Sequence, residues 1–118
     1  MAIQFWHYPN CSTCRKAKKW LDQRGVKVTA IDIVDSPPSA TVLAKVKQLS
    51  GVPVNKLFNT SGQVYREGKY KEKLAKMSEK EALQALASQG KLIKRPLLLA
   101  GDVALVGFRE GDYAELFK

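Results

Sequence analysis

The chain has no apolar run long enough to cross a membrane, only two cysteines and a single histidine. Negative charge is scarce too: 11 acidic side chains face 20 basic ones. Each shortage excludes something. Met1-Ala2-Ile3-Gln4-Phe5 lacks the charged start and apolar stretch of a secretory signal, so a cytoplasmic location is expected. Thiols are mostly kept reduced there, and a cysteine pair is more often catalytic, redox-sensing or metal-binding than structural. A zinc site needs four protein ligands, or three and an open position. Two cysteines and one histidine fall short, so no metal site is expected. There are no repeats, low-complexity stretches or linkers, and 118 residues fit one domain over 1–118. With 45% hydrophobic residues it can bury a core without disulfide staples. No helix-turn-helix is visible, and aromatic residues do not interleave with basic ones, so direct nucleic-acid binding is not expected.

What is present concentrates at one place. The two cysteines fall in Cys11-Ser12-Thr13-Cys14, after an apolar stretch and before a basic one. A helix starting there leaves N–H groups unpaired and carries partial positive charge. A thiolate is stabilised at such a start, its pKa falling from about 8.5 to about 3.5–7.5. A second thiol one turn on can resolve a mixed disulfide. Cys11 is the more exposed candidate nucleophile and Cys14 the resolving thiol; two inert cysteines are the plain alternative.

The pattern around the pair predicts an α/β fold. Ala2–Trp6 reads as a strand buried on both faces, ended by Tyr8-Pro9-Asn10. A helix follows from Ser12 to Arg24, with Cys14, Ala17, Trp20 and Leu21 facing inward and Gly25 at its end. A second, alternating strand is expected at 27–32 and a helix at 39–50. Residues 54–77 read as short helices and loops. Ser78 and Glu81 form a capping box, opening a helix with Ala82, Leu83, Ala85 and Leu86 buried and Gly90 closing it. Leu97–Ala100 and Val103–Val106 form a hairpin over Gly101-Asp102, and Glu110–Phe117 a last helix. A parallel βαβ pair plus a hairpin gives a mixed four-stranded sheet flanked by helices, with a helical insertion between strands 2 and 3. A CxxC at the first strand–helix turn of such a sheet reads as thioredoxin-like.

Three further residues are candidates. His7, four before Cys11, could lower the thiol's pKa when protonated or orient the loop, or be an ordinary half-buried histidine. Arg15 could hold an anion or thiolate, or be a surface arginine. Arg95-Pro96 suits a strand start, and Arg95 reaches the cysteine loop if the third strand neighbours the first. Trp6, Trp20 and Met77 read as packing residues. The net charge of +9 allows attraction to an acidic partner or an oxyanion. Its one dense group, Lys16, Lys18 and Lys19, is equally a solvated helix face.

His7-Tyr-Pro-Asn-Cys11-Ser-Thr-Cys14-Arg15 resembles the H-x3-C-x3-R signature of the glutaredoxin-dependent arsenate reductases. Ile33–Ser39, Leu57–Gly62 and Lys94–Leu98 are similar to other motifs of that family, and Val106-Gly107-Phe108 to its branch of Spx-type transcription regulators. The resemblance runs nearly end to end. It implies a thioredoxin-like fold, Cys11 as nucleophile, and His7, Ser12, Thr13 and Arg15 in the cysteine loop. It also implies that Arg95 faces that loop and that Pro96 follows a cis peptide. Those reductases use three arginines at the oxyanion. Arg95 matches one, but Asn59 and Gly107 stand at the other two, with Arg109 two residues beyond. Cys14 also stands where those enzymes commonly lack cysteine.

The departures point away from dedicated arsenate reduction and toward a thiol–disulfide oxidoreductase with at most a weak arsenate or glutathione-linked reductase activity. Glutathione, a glutaredoxin or a thioredoxin would be its electron donor or partner. The alternative is a redox-sensing regulator that binds RNA polymerase through a surface switched by the same disulfide. A monomer is expected, with no bound cofactor.

Overall fold

The computed structural model describes residues 2–118. Strand β1 (Ile3–His7) leads into helix α1 (Ser12–Gln23), followed by strand β2 (Thr29–Asp32). Then come helix α2 (Ala40–Ser50), a 3-10 turn at Val54–Leu57, and the short helices α3 (Gln63–Glu67) and α4 (Tyr70–Leu74). Helix α5 (Glu79–Ser88) precedes a 3-10 turn at Gly90–Leu92, strands β3 (Leu97–Ala100) and β4 (Val103–Val106), and helix α6 (Glu110–Leu116). The helical block thus lies between the second and third strands.

The sheet order is β2-β1-β3-β4. Strand β1 runs parallel to β2 and antiparallel to β3, with Phe5 opposite Ala30 on one side and Leu98 on the other. Strands β3 and β4 form the hairpin, and Gly101 takes φ +58° in its turn. That positive φ is what a two-residue turn with glycine first requires.

Side-chain alternation splits the core into two layers. On one face Ile3, Phe5, Leu98 and Ala100 pack with Ala17, Trp20 and Leu21 of α1 and Tyr113 of α6. On the other, Trp6, Leu97, Leu99 and Ala104 pack with Leu43 and Val46 of α2 and Ala82, Leu83 and Leu86 of α5. Both long helices of this second layer are capped by serine. Ser39 Oγ accepts the Val42 amide at 3.2 Å, and Ser78 and Glu81 make the reciprocal capping box.

Four details depart from the sequence-based expectations. Strand β1 runs one residue later than expected, from Ile3 through His7; it buries Phe5 on one face and Trp6 on the other but leaves Gln4 exposed. Strand β2 shows no clean alternation of burial, because it is an edge strand with a single neighbour. Ala85 is only half-buried. Gly90 does not close α5, which ends at Ser88; it is buried at a crossing of two backbones. A Cβ on Gly90 would sit 1.9 Å from the Ile33 carbonyl oxygen.

That contact with rigid backbone sets a prediction. Gly90→Ala should cost about 1–3 kcal/mol or more in urea unfolding, since neither strand of chain can yield. Gly111→Ala, inside α6 with nothing within 4 Å of the added carbon, should instead stabilise by about 0.4–1 kcal/mol. Equal effects from the two would contradict the close approach at Gly90.

Candidate functional site

The turn from β1 to α1 is built by its own backbone. The Cys11 amide donates to the Tyr8 carbonyl at 2.9 Å, and the Arg15 amide donates to the Cys11 carbonyl at 3.0 Å. Cys11 is therefore the N-cap of α1, with extended φ −92° and ψ 122°. Its side chain makes no capping hydrogen bond, and the first turn holds no acidic residue. No carboxylate competes with a thiolate for the positive end of the helix.

Cys11 is half-buried and Cys14 fully buried, and both are free thiols. Burial alone pushes the Cys11 thiol up. The Cys14 backbone N–H and thiol, the Thr13 backbone N–H and the Arg95 guanidinium favour its thiolate and outweigh burial, so its pKa is lowered. Cys14 behaves in the opposite way. Burial, and then the hydrogen bond and charge of Cys11, push it up to about 12. The Tyr8 amide, which donates to Cys14 Sγ at 3.4 Å, and the charge of Arg95 oppose that rise only in part.

Arg95 reaches the loop because β3 lies beside β1. Its guanidinium carbon sits 5.0 Å from the Tyr8 ring centroid, and Nη1 donates to the Lys91 carbonyl at 3.2 Å. Its Nε is buried without a partner. The Arg95–Pro96 peptide is cis. Arg15 turns to the loop backbone, donating from Nη1 to the Pro9 carbonyl at 3.1 Å. Ser12 is exposed, and Thr13 joins Cys11 in the wall of the adjoining cleft.

His7 ends β1, opposite Asp32 of β2. The groups that act on it are Asp32 and Lys18, and its ring lies 5.5 Å from that of Phe5. Burial lowers its pKa; Asp32 opposes and Lys18 adds to the effect. Strand parity explains the placement: Ile3, Phe5 and His7 share the face toward α1.

A cleft of about 910 Å³ opens over Cys11. Asn59, Gly107 and Arg109 all line it. Lys56 and Lys94 line it as well, and the sequence reading did not single them out. They are 38 residues apart, but an antiparallel bridge between Phe58 and Ile93 brings them to one wall. The Asn59 amide donates to the Leu92 carbonyl at 2.8 Å and the Lys94 amide to the Leu57 carbonyl at 2.7 Å. A third bond, from the Gly107 amide to the Pro96 carbonyl at 2.8 Å, ties the turn after β4 to the start of β3.

The fold and site define a thioredoxin-like domain whose cysteine pair opens its first helix. A glutaredoxin from Archaeoglobus fulgidus shares that fold at TM-score 0.50 and 18% identity, covering 100% of this chain and 88% of its own. More narrowly, the chain belongs to the ArsC family, whose model matches residues 6–116. It is 50% identical over 115 residues to the uncharacterized protein YusI of Bacillus subtilis, covering 98% of each chain. The crystal structure of an ArsC-family-related protein from Bacteroides fragilis is similar at TM-score 0.94 and 47% identity, over 100% of this chain and 98% of that one. The global transcriptional regulator Spx of Streptococcus pneumoniae (strain R6) is 25% identical over 104 residues, 88% of this chain and 77% of Spx.

The electrostatics yield a pH prediction. A lowered pKa means more Cys11 thiolate at neutral pH, so its alkylation rate should reach half-maximum below the value for free cysteine, about 8.5. Cys14, pushed up to about 12, should stay silent over the same range. Arg95→Met removes a favourable charge and should move the Cys11 midpoint upward. An unmoved midpoint would take Arg95 out of the site.

Proposed function

We propose that this chain is a thiol–disulfide oxidoreductase in which Cys11 attacks and Cys14 resolves. The supporting observation is the opposite bias of two thiols one helical turn apart. Cys11 is accessible with its pKa lowered, while Cys14 is buried and raised to about 12. Cys11 thiolate attacks one sulfur of a disulfide R–S–S–R′, forming Cys11–S–S–R and releasing R′S⁻. Cys14 then attacks the Cys11 sulfur and expels RS⁻, leaving a Cys11–Cys14 disulfide. Two electrons pass from protein to substrate, and the two protein thiol protons end on RSH and R′SH. The return step takes two electrons from an external thiol; glutathione, a glutaredoxin or a thioredoxin is a donor of that class. Arg95, Thr13 and the helix start stabilise the attacking sulfur, and Arg15 shapes the loop.

Arsenate as the main substrate has weaker support. Asn59 and Gly107 occupy cleft positions where the resemblance places arginines. Each absent arginine removes a charge-assisted hydrogen bond of about 1.5–3 kcal/mol. The reading as a polymerase-binding regulator uses the same disulfide. The open cleft over Cys11, sized for a ligand, favours exchange with a substrate.

Mass spectrometry of the reaction with a model disulfide tests the roles. Cys14→Ser should accumulate the mixed disulfide on Cys11, and the unaltered chain should pass through it to the internal disulfide. Cys11→Ser should capture no substrate thiol within the same time. Capture by Cys14 in that variant would reverse the assignment.

A further inference from the structure

The cleft over Cys11 is far larger than an oxyanion. Its volume of about 910 Å³ lies near the top of the range for small-molecule pockets, about 300–1,000 Å³. Its charge is one-sided. Lys56, Lys94, Arg95 and Arg109 line it against the single carboxylate of Asp112. Among the described residues, none of these four cations is in an ion pair, although lysines elsewhere pair with Asp22, Glu79 and Glu115.

The positions of these cations are constrained. Lys56 and Lys94 are held to one wall by the Phe58–Ile93 bridge. Arg109 is the N-cap residue of α6, just past the Gly107 turn. Gly107 has φ +76°, and an added Cβ would meet Lys94 Cε at 3.4 Å, so the lysine stem passes close by the turn. Arg95 acts on the reactive sulfur itself, and its Nε is buried and unpartnered. A ligand joined to Cys11 by sulfur would therefore extend into a cleft lined by Lys56, Lys94 and Arg109.

We propose that Lys56, Lys94 and Arg109 form a carboxylate-binding subsite, and that the disulfide exchanged at Cys11 belongs to a cysteine flanked by carboxylates. The inference rests on the dithiol reading above and names the substrate class for that same site. An acidic peptide segment and a small anionic thiol such as glutathione share this chemistry. The chemical step is the exchange already balanced. The subsite contributes orientation and local concentration, through charge focused in a cleft.

The test uses cysteine peptides carried as mixed disulfides with 2-thiopyridine, flanked by Glu, Gln or Lys. Attack by Cys11 on the peptide sulfur releases thiopyridone, whose absorbance gives the rate. The full chain should react about tenfold faster with the Glu peptide than with the Gln peptide at low salt, the low end of what focused charge achieves. The preference should shrink as salt rises. The combined variant Lys56→Gln, Lys94→Gln, Arg109→Gln should collapse the Glu/Gln rate ratio toward one. A control with the same charge removed outside the cleft, Lys71→Gln, Lys73→Gln, Lys76→Gln, should keep it.

Equal loss in both variants would mean general attraction to a basic protein and would overturn the subsite. So would a wild-type ratio near one. A glutathione–thiopyridine disulfide separates the two sources. A rate matching the Glu peptide means the small thiol fills the subsite; a slower rate with the Glu preference intact means a longer acidic segment does. Failure of Cys11 to react even with neutral 2,2′-dipyridyl disulfide would remove the dithiol reading itself. Reaction without charge preference would remove only the subsite.

Discussion

The docking of α1 on the sheet is the constraint on which the site depends. Cys14, Ala17, Trp20 and Leu21 form the buried face of that helix. Ile3, Phe5 and Leu98 pack against its larger side chains. The same rotation that seats Trp20 and Leu21 takes Cys14 inside. Cys11, three residues earlier, lies on nearly the same side but at the cap, where the chain leaves the packed layer. One packing decision therefore sets both sulfur environments. A helix turned by a single residue would lose the apolar fit and the difference between the thiols together.

The second constraint is that positive charge must be delivered from distant parts of the chain. Arg95 comes from just before the strand antiparallel to β1, and Lys56 and Lys94 from the segments bridged by Phe58 and Ile93. Leaving a buried donor unpaired costs about 1–3 kcal/mol, and Arg95 Nε is such a donor. Its neighbours account for it. The guanidinium lies against the Tyr8 ring and favours a negative Cys11. An unpaired donor at a reactive sulfur is available to a negative ligand, whereas the same donor inside the apolar layers would only destabilise them.

Local signals in the sequence were easy to read, and long-range ones were not. The first helix, its inward stripe, the Ser78–Glu81 box and the Gly101 turn each depend on residues within one or two turns, and all stand as expected. The edge position of β2 depends on strand order, which its own composition does not reveal. Gly90 looked like a helix stop; its actual constraint is the Ile33 carbonyl, 57 residues away. Lys56 and Lys94 carried no local mark, because their shared wall exists only once Phe58 pairs with Ile93. His7 is a similar case: its neighbour Asp32 comes opposite it only once β1 pairs with β2.

The two thiols also influence one another in a way that orders the proposed exchange. Cys14 is held near 12 by burial first, but also by the hydrogen bond and the negative charge of Cys11. Once Cys11 is bound in a mixed disulfide it carries no charge. The two influences that came from Cys11 then vanish, while burial remains. The Tyr8 amide and the Arg95 charge, which favour a Cys14 thiolate, are still in place. Cys14 is thus least acidic while Cys11 is the free attacker and becomes more acidic when a mixed disulfide needs resolving. A buried thiol that would otherwise be inert gains reactivity from the first step. In the proposed exchange, the electrostatics between the two side chains thus favour attack by Cys11 first and Cys14 second.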